Sequence, residues 1–99
     1  MTTKDDILIY LASMKAKFKD EFQVTKLGLF GSYAADRQQE NSDIDILIEF
    51  EPETDQLTEK KDKIREIIKT KFQKEVDLCR EKYIKPYFKS QIIKSVIYV

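Results

Sequence analysis

Asp43 and Asp45 stand two residues apart in the run S-D-I-D-I-L-I-E-F, where acids interrupt an otherwise apolar stretch. A strand alternates its faces residue by residue, so both carboxylates leave one side, with Cα atoms about 6.5 to 7 Å apart. Two such charges held about 5 Å apart, at an effective dielectric near 20, repel by about 3 kcal/mol, a large share of a small domain's stability. A cation removes that cost. Hard divalent ions suit an oxygen pair, and Mg²⁺ in particular is commonly held by one or two carboxylates together with substrate phosphates. Ten residues separate Asp43 from the Gly31-Ser32 pair that precedes it. A glycine allows close backbone approach, and a hydroxyl at a strand-to-helix turn joins free N–H groups that favour phosphate oxygens. Asp77, in E-V-D-L, offers a third carboxylate for a two-ion site, in which ions roughly 3.5 to 4 Å apart serve an in-line displacement. The chain contains no histidine, which excludes a histidine base, a zinc–histidine cluster and a Ser-His-Asp triad.

The elements that must position these residues follow from periodicity. Thr3 opens a T-K-D-D capping box, and Ile7, Leu8, Leu11, Met14 and Phe18 recur at helical spacing, which predicts a helix over 4–20. T-K-L-G-L-F, residues 25–30, reads as a strand stopped by Gly31-Ser32, and residues 33–37 as a turn or two of helix. The D-I-D run is the clearest strand, alternating Asp43, Asp45 and Leu47 against Ile44, Ile46 and Ile48. Pro52 marks a loop, residues 55–71 a second long helix, 74–79 a third strand and 86–94 a helix begun by Pro86; V-I-Y-V ends as a strand or a helix extension. Helices covering a small sheet make an α/β or α+β layer. The ten residues between Ser32 and Asp43 are short for a parallel crossover, so the first two strands are expected to be antiparallel, bringing Gly31-Ser32 beside Asp43 and Asp45.

Composition narrows the function further. Ninety-nine residues make a single domain, 1–99, and leave no room for a separate substrate-recognition unit. Eighteen basic residues balance eighteen acidic ones, which argues against direct nucleic-acid binding through bulk charge. The N-terminus lacks a signal-peptide pattern, and no apolar run approaches the roughly 20 residues needed to cross a bilayer, so a cytoplasmic protein without membrane contact is expected. The lone Cys79 reads as a small hydrophobe. Glu49 and Glu51 lie too far along the strand to join the metal pair. The tyrosines read as packing residues, with Tyr33 placed where it can approach a nucleotide. Tyr87, Phe88, Ile92 and Ile93 fit either the core or an apolar surface for a partner or a second copy, so a homo-oligomer stays open.

The motifs G-S-Y-A, then after eight residues D-I-D-I-L-I, and later V-D-L, resemble the minimal nucleotidyltransferases of the DNA polymerase beta-like superfamily. The resemblance covers about residues 26–79, and the N-terminal helix and terminal segment fit the family's layout. It implies a polymerase beta-like nucleotidyltransferase core, a small mixed sheet covered by helices. It also implies that Gly31 and Ser32 bind nucleotide phosphates, that Asp43 and Asp45 hold the metal ions, and that Asp77 is the third carboxylate, helping to activate the acceptor hydroxyl. Many members continue G-S-x-A-R-G; here Ala35 and Asp36 take those places, leaving Arg37 as the candidate phosphate cation. Such proteins are commonly antitoxins paired with a HEPN-type RNase, transferring AMP from ATP to a tyrosine of the toxin. The implied activity is therefore a Mg²⁺-dependent protein adenylyltransferase, with a contact-only antitoxin or interaction module as the alternative. A small-molecule acceptor is disfavoured by the missing acceptor domain, and polymerisation by the missing template-binding domain.

Overall fold

The computed structural model describes residues 2–99. Helix α1 (Lys4–Phe22) starts at the expected capping box: Thr3 Oγ1 accepts from the Asp6 N–H at 3.2 Å, and Asp6 Oδ2 accepts from the Thr3 N–H at 3.0 Å. Two of the four N–H groups left open at the helix start are thereby satisfied. The helix ends where Gln23 adopts the left-handed conformation, φ 60°, its N–H donating to the Lys19 carbonyl.

Strand β1 (Val24–Phe30) runs straight into the single-turn helix α2 (Gly31–Ala34), so that helix opens on the glycine itself, two residues before the predicted start. Strand β2 (Ile44–Phe50) follows, then helix α3 (Leu57–Phe72) and strand β3 (Val76–Cys79). A 3₁₀ turn at Glu81–Tyr83, which periodicity gave no sign of, leads to helix α4 (Pro86–Ser95) and the two-residue strand β4 (Ile97–Tyr98). The terminal V-I-Y-V is thus a strand.

The four strands lie in the order β3-β2-β1-β4. β1 pairs antiparallel with β2, as the short connection predicted, and antiparallel with β4; β2 pairs parallel with β3. The sheet is therefore mixed, with α3 supplying the crossover that a parallel pair requires. Ile7, Leu11 and Phe18 of α1 and Ile64 and Ile68 of α3 join Leu27, Leu29, Ile44, Ile46, Ile48, Val76 and Leu78 in one buried core. Strand alternation puts Asp45, Leu47 and Glu49 on the opposite face of β2, where the 3₁₀ turn packs. That face is not bare, because Leu47 is fully buried. Tyr87 and Phe88, by contrast, are exposed, and α4 carries no buried residue, so the core reading of this helix's aromatics does not hold. No helix among the described residues is long and apolar enough to cross a membrane.

Candidate active site

The site forms where β1 ends and β2 begins. Phe30 lies opposite Asp45 in the ladder, so Gly31, the next residue, meets the Asp45 side chain. Gly31 sits at φ 77°, in the region that disfavours side chains, and a Cβ there would stand 2.9 Å from Asp45 Cγ. Ser32 follows, half-buried, in the first turn of α2. The turn is closed by backbone hydrogen bonds from the Ala35 N–H to the Gly31 carbonyl at 3.1 Å and from the Arg37 N–H to the Ser32 carbonyl at 2.8 Å.

Asp36 completes the reversal with φ 56° and is tied to Lys4 of α1 at 3.0 Å. Arg37 is exposed, and its guanidinium makes no hydrogen bond or ion pair among the described residues. The loop then tightens before the acidic pair: Ser42 Oγ accepts from the Gln39 N–H at 2.8 Å, and the Ser42 N–H donates to the Gln39 carbonyl at 3.0 Å. Asp43 emerges from this loop, exposed, one residue ahead of β2 and not within it.

Parallel register places Asp77 of β3 directly opposite Asp45 of β2. Their shared face gathers negative charge, and the result is visible at the more buried partner. Burial first, then the Asp77 and Asp43 carboxylates, push the Asp45 carboxyl up to about 6. The three acids named from sequence thus share one electrostatic neighbourhood at the sheet edge beside Gly31-Ser32. They are not drawn into a cage: among the described residues no three carboxylates, thiols or imidazoles are gathered closely enough to enclose an ion. An all-oxygen set whose most buried member is repelled by its neighbours fits a hard divalent cation that takes most of its ligands from phosphate and water, as Mg²⁺ does.

Two neighbours fill out the surroundings of the acids. Tyr33 is 1% exposed and belongs to the hydrophobic core, as the packing reading of the tyrosines expects, so its ring is not displayed toward a nucleotide. Glu49, set aside as a ligand by its distance along the strand, has a partner of its own: it accepts from Arg80 Nε at 3.2 Å and from the Glu81 N–H at 2.8 Å. The signal was present in the sequence, since period two places Glu49 on the Asp45 face and a half-buried acid there needs a cation. Cys79, half-buried opposite Leu47, has its thiol pushed up by burial and then by Asp77, which keeps it an inert hydrophobe.

The sheet order, the glycine turn and the acidic edge are those of an enzyme class that moves nucleotidyl groups. The chain belongs to the nucleotidyltransferase domain family, which it matches over residues 6–99. A Methanocaldococcus jannaschii protein named as a candidate protein adenylyltransferase is 38% identical over 104 residues, covering all of both chains. The protein adenylyltransferase MntA of Thermococcus cleftensis is 30% identical, covering all of this chain and 98% of its own. Among solved structures, one described as a candidate minimal nucleotidyltransferase superposes with a TM-score of 0.79 at 18% identity, over 97% of this chain and 95% of its own. A toxin–antitoxin crystal structure with AMP-PNP gives 0.65 at 20% identity, over 98% of this chain and 72% of its own. The protein is a nucleotidyltransferase.

Proposed function

We propose that this chain transfers AMP from ATP to a hydroxyl of a protein, a tyrosine of a HEPN-type RNase toxin, and in doing so acts as its antitoxin. The observation that carries this reading is the juxtaposition of the Gly31-Ser32 turn with Asp45, Asp77 and Asp43 at one sheet edge. The protein adenylyltransferase names of the relatives supply the acceptor class. The pairing of toxin with antitoxin in the AMP-PNP structure supplies the partner class. On this reading residues 1–99 work as one minimal domain in the cytoplasm, and the partner brings the acceptor that the domain is too small to hold.

The chemistry assigns each residue a task. The Gly31 and Ser32 N–H groups and the Ser32 hydroxyl hold triphosphate oxygens, and Arg37 adds a cation at the rim. The acceptor oxygen attacks the α-phosphorus, the bond from that phosphorus to the bridging oxygen of the β-phosphate breaks, and pyrophosphate leaves with the electron pair. The hydroxyl proton passes to a carboxylate, for which Asp77 is assigned. Asp43, Asp45 and Asp77 are the residues that would hold two Mg²⁺ ions, which neutralise phosphate charge and favour the ionised hydroxyl when bound. Gly31 contributes by having no side chain, so that a phosphate and the Asp45 carboxylate can share its surroundings.

The test is thermal unfolding with ATP and Mg²⁺, separately and together, on the wild type and on the Asp43→Asn, Asp45→Asn variant. ATP with Mg²⁺ at 100-fold excess over the dissociation constant should add about 2.7 kcal/mol to the wild type alone. Absence of that shift in the wild type would sink the enzymatic reading. Toxin neutralisation that survives the double substitution would establish the contact-only antitoxin instead.

A further inference from the structure

β3 is a four-residue edge strand with one neighbour, yet it carries Asp77, one of three acids at the site. Four ladder positions alone hold such a strand weakly, so the contacts at its two ends matter. At the start, the Ile44 N–H donates to the Glu75 carbonyl at 2.9 Å, and Glu75 pairs with Lys69 at 2.9 Å. That ion pair is open to water, with Glu75 67% exposed, and contributes little. At the other end the Glu49 carboxylate grips both the Arg80 side chain and the Glu81 N–H, with Arg80 16% and Glu49 19% exposed. Bonds to a charged acceptor, shielded from solvent, are the strong kind.

The clasp also has a direction. Glu49 stands on β2 four residues beyond Asp45, and Arg80 stands on the chain three residues beyond Asp77. The two acids face each other in the ladder, and the clasp closes just past the last ladder pair, Leu47 with Cys79. A slip of β3 along β2 would have to break it. We infer that Glu49 is a positioning residue, which through Arg80 and the Glu81 N–H holds β3 in register and so keeps Asp77 opposite Asp45. Among the described residues Glu49 makes no hydrogen bond to Asp43, Asp45 or Asp77. Its role is to set the spacing of two groups whose misplacement by about 1 Å costs on the order of 100-fold in rate.

The experiment combines amide hydrogen exchange on the chain alone with steady-state release of pyrophosphate from ATP and Mg²⁺ in the presence of the HEPN-type toxin as acceptor, for Glu49→Ala, Glu49→Gln and Arg80→Lys. In Glu49→Ala the amides of Val76–Cys79 should lose protection at least 10-fold while those of α1 and β1 keep it. In the same variant kcat should fall about 10- to 100-fold with KM for ATP within twofold. Glu49→Gln, which keeps an oxygen for the Glu81 N–H, should fall between wild type and Glu49→Ala on both measures. Unchanged β3 protection overturns the inference, and so does loss of protection throughout the chain, which would make the clasp a general stabiliser. A folded Glu49→Ala with wild-type kcat, or with only KM changed, overturns it as well. The kinetic arm rests on the proposed transfer from ATP and the exchange arm does not; a wild type that releases no pyrophosphate defeats the former and leaves exchange to decide the clasp.

Discussion

The Cα of Gly31 is pressed against the side chain of Asp45: a methyl group on Gly31 would lie 2.9 Å from Asp45 Cγ and 3.1 Å from Asp45 Cβ. The turn that carries Ser32 therefore lies directly against the Asp45 side chain, with no side chain of Gly31 between them. Gly31→Ala should cost about 2–3 kcal/mol, part from the left-handed φ and part from displacing Asp45. Urea unfolding of the single variants and of the double variant with Asp45→Ala separates the two parts. The methyl should cost about 1 kcal/mol less when Asp45 is already truncated, and an equal cost in both backgrounds would rule out the contact.

Asp45 also makes the metal-free chain sensitive to pH. Burial and the neighbouring acids push its folded carboxyl up to about 6 from an ordinary 3.8, so between those values the folded state binds the extra proton. The stability this provides is present below the unfolded value and is lost as pH rises through the folded one. Asp45→Asn removes the dependence. Without divalent ions, its unfolding free energy relative to wild type should rise by about 1–2 kcal/mol between pH 4 and pH 7.5, a figure discounted for the solvent that reaches a half-buried carboxyl. Paired denaturant titrations at the two pH values check this, and a flat difference would refute it.

Ser32 and Arg37 have different standing in the turn, and ATP binding should reflect it. Ser32→Ala removes a hydroxyl from the first turn of α2 and should weaken ATP with Mg²⁺ about 10- to 100-fold, the range for a bond to a charged group. Arg37→Ala removes an exposed cation and should weaken it only severalfold, more at low salt than at high. Both should keep the wild-type melting temperature. Calorimetric titration at two salt concentrations measures all of this, and a salt-independent Arg37→Ala would remove that residue from the phosphate site.

Gly28 answers to the C-terminal segment instead. A Cβ there would stand 2.6 Å from Val96 Cγ1 and 3.2 Å from the Ile97 carbonyl oxygen. Gly28→Ala should lower stability by about 1–3 kcal/mol by pushing β4 away, while ATP affinity at the Gly31 turn that follows the strand stays within twofold. A melting curve and a binding isotherm suffice, and a large loss of affinity would show that α4 and β4 shape the nucleotide site.

What could be read in the residues divides along physical lines. The D-I-D strand, its antiparallel partner and the long helices were legible because period two, period 3.6, a capping box and a ten-residue connection each leave a local trace. The neighbourhood of Gly31-Ser32 and Asp45 was legible for the same reason, whereas Asp77 was named from its apolar-flanked strand and the family resemblance, without its register. The β2–β3 direction was not, since α3 permits that crossover without announcing its register. Tyr33 was legible as a packing residue but its full burial was not, because its neighbours Ser32 and Ala34 say nothing about which way a single helical turn will roll. Glu49 was measured against the metal pair and not against Arg80, a residue 31 positions away whose pairing depends on tertiary structure.

β4 covers β1 at only two positions, Gly28 and Leu29, and adds one further bond from the Val99 N–H to the Leu27 carbonyl. Without it, L-G-L-F would form the rim of the sheet, an apolar strand with open backbone groups, which is the usual template for edge-to-edge self-association. A short strand of little value to the core therefore protects solubility. Trimming the chain ahead of Ile97 should show up first as concentration-dependent aggregation, before any loss of helix or of nucleotide chemistry.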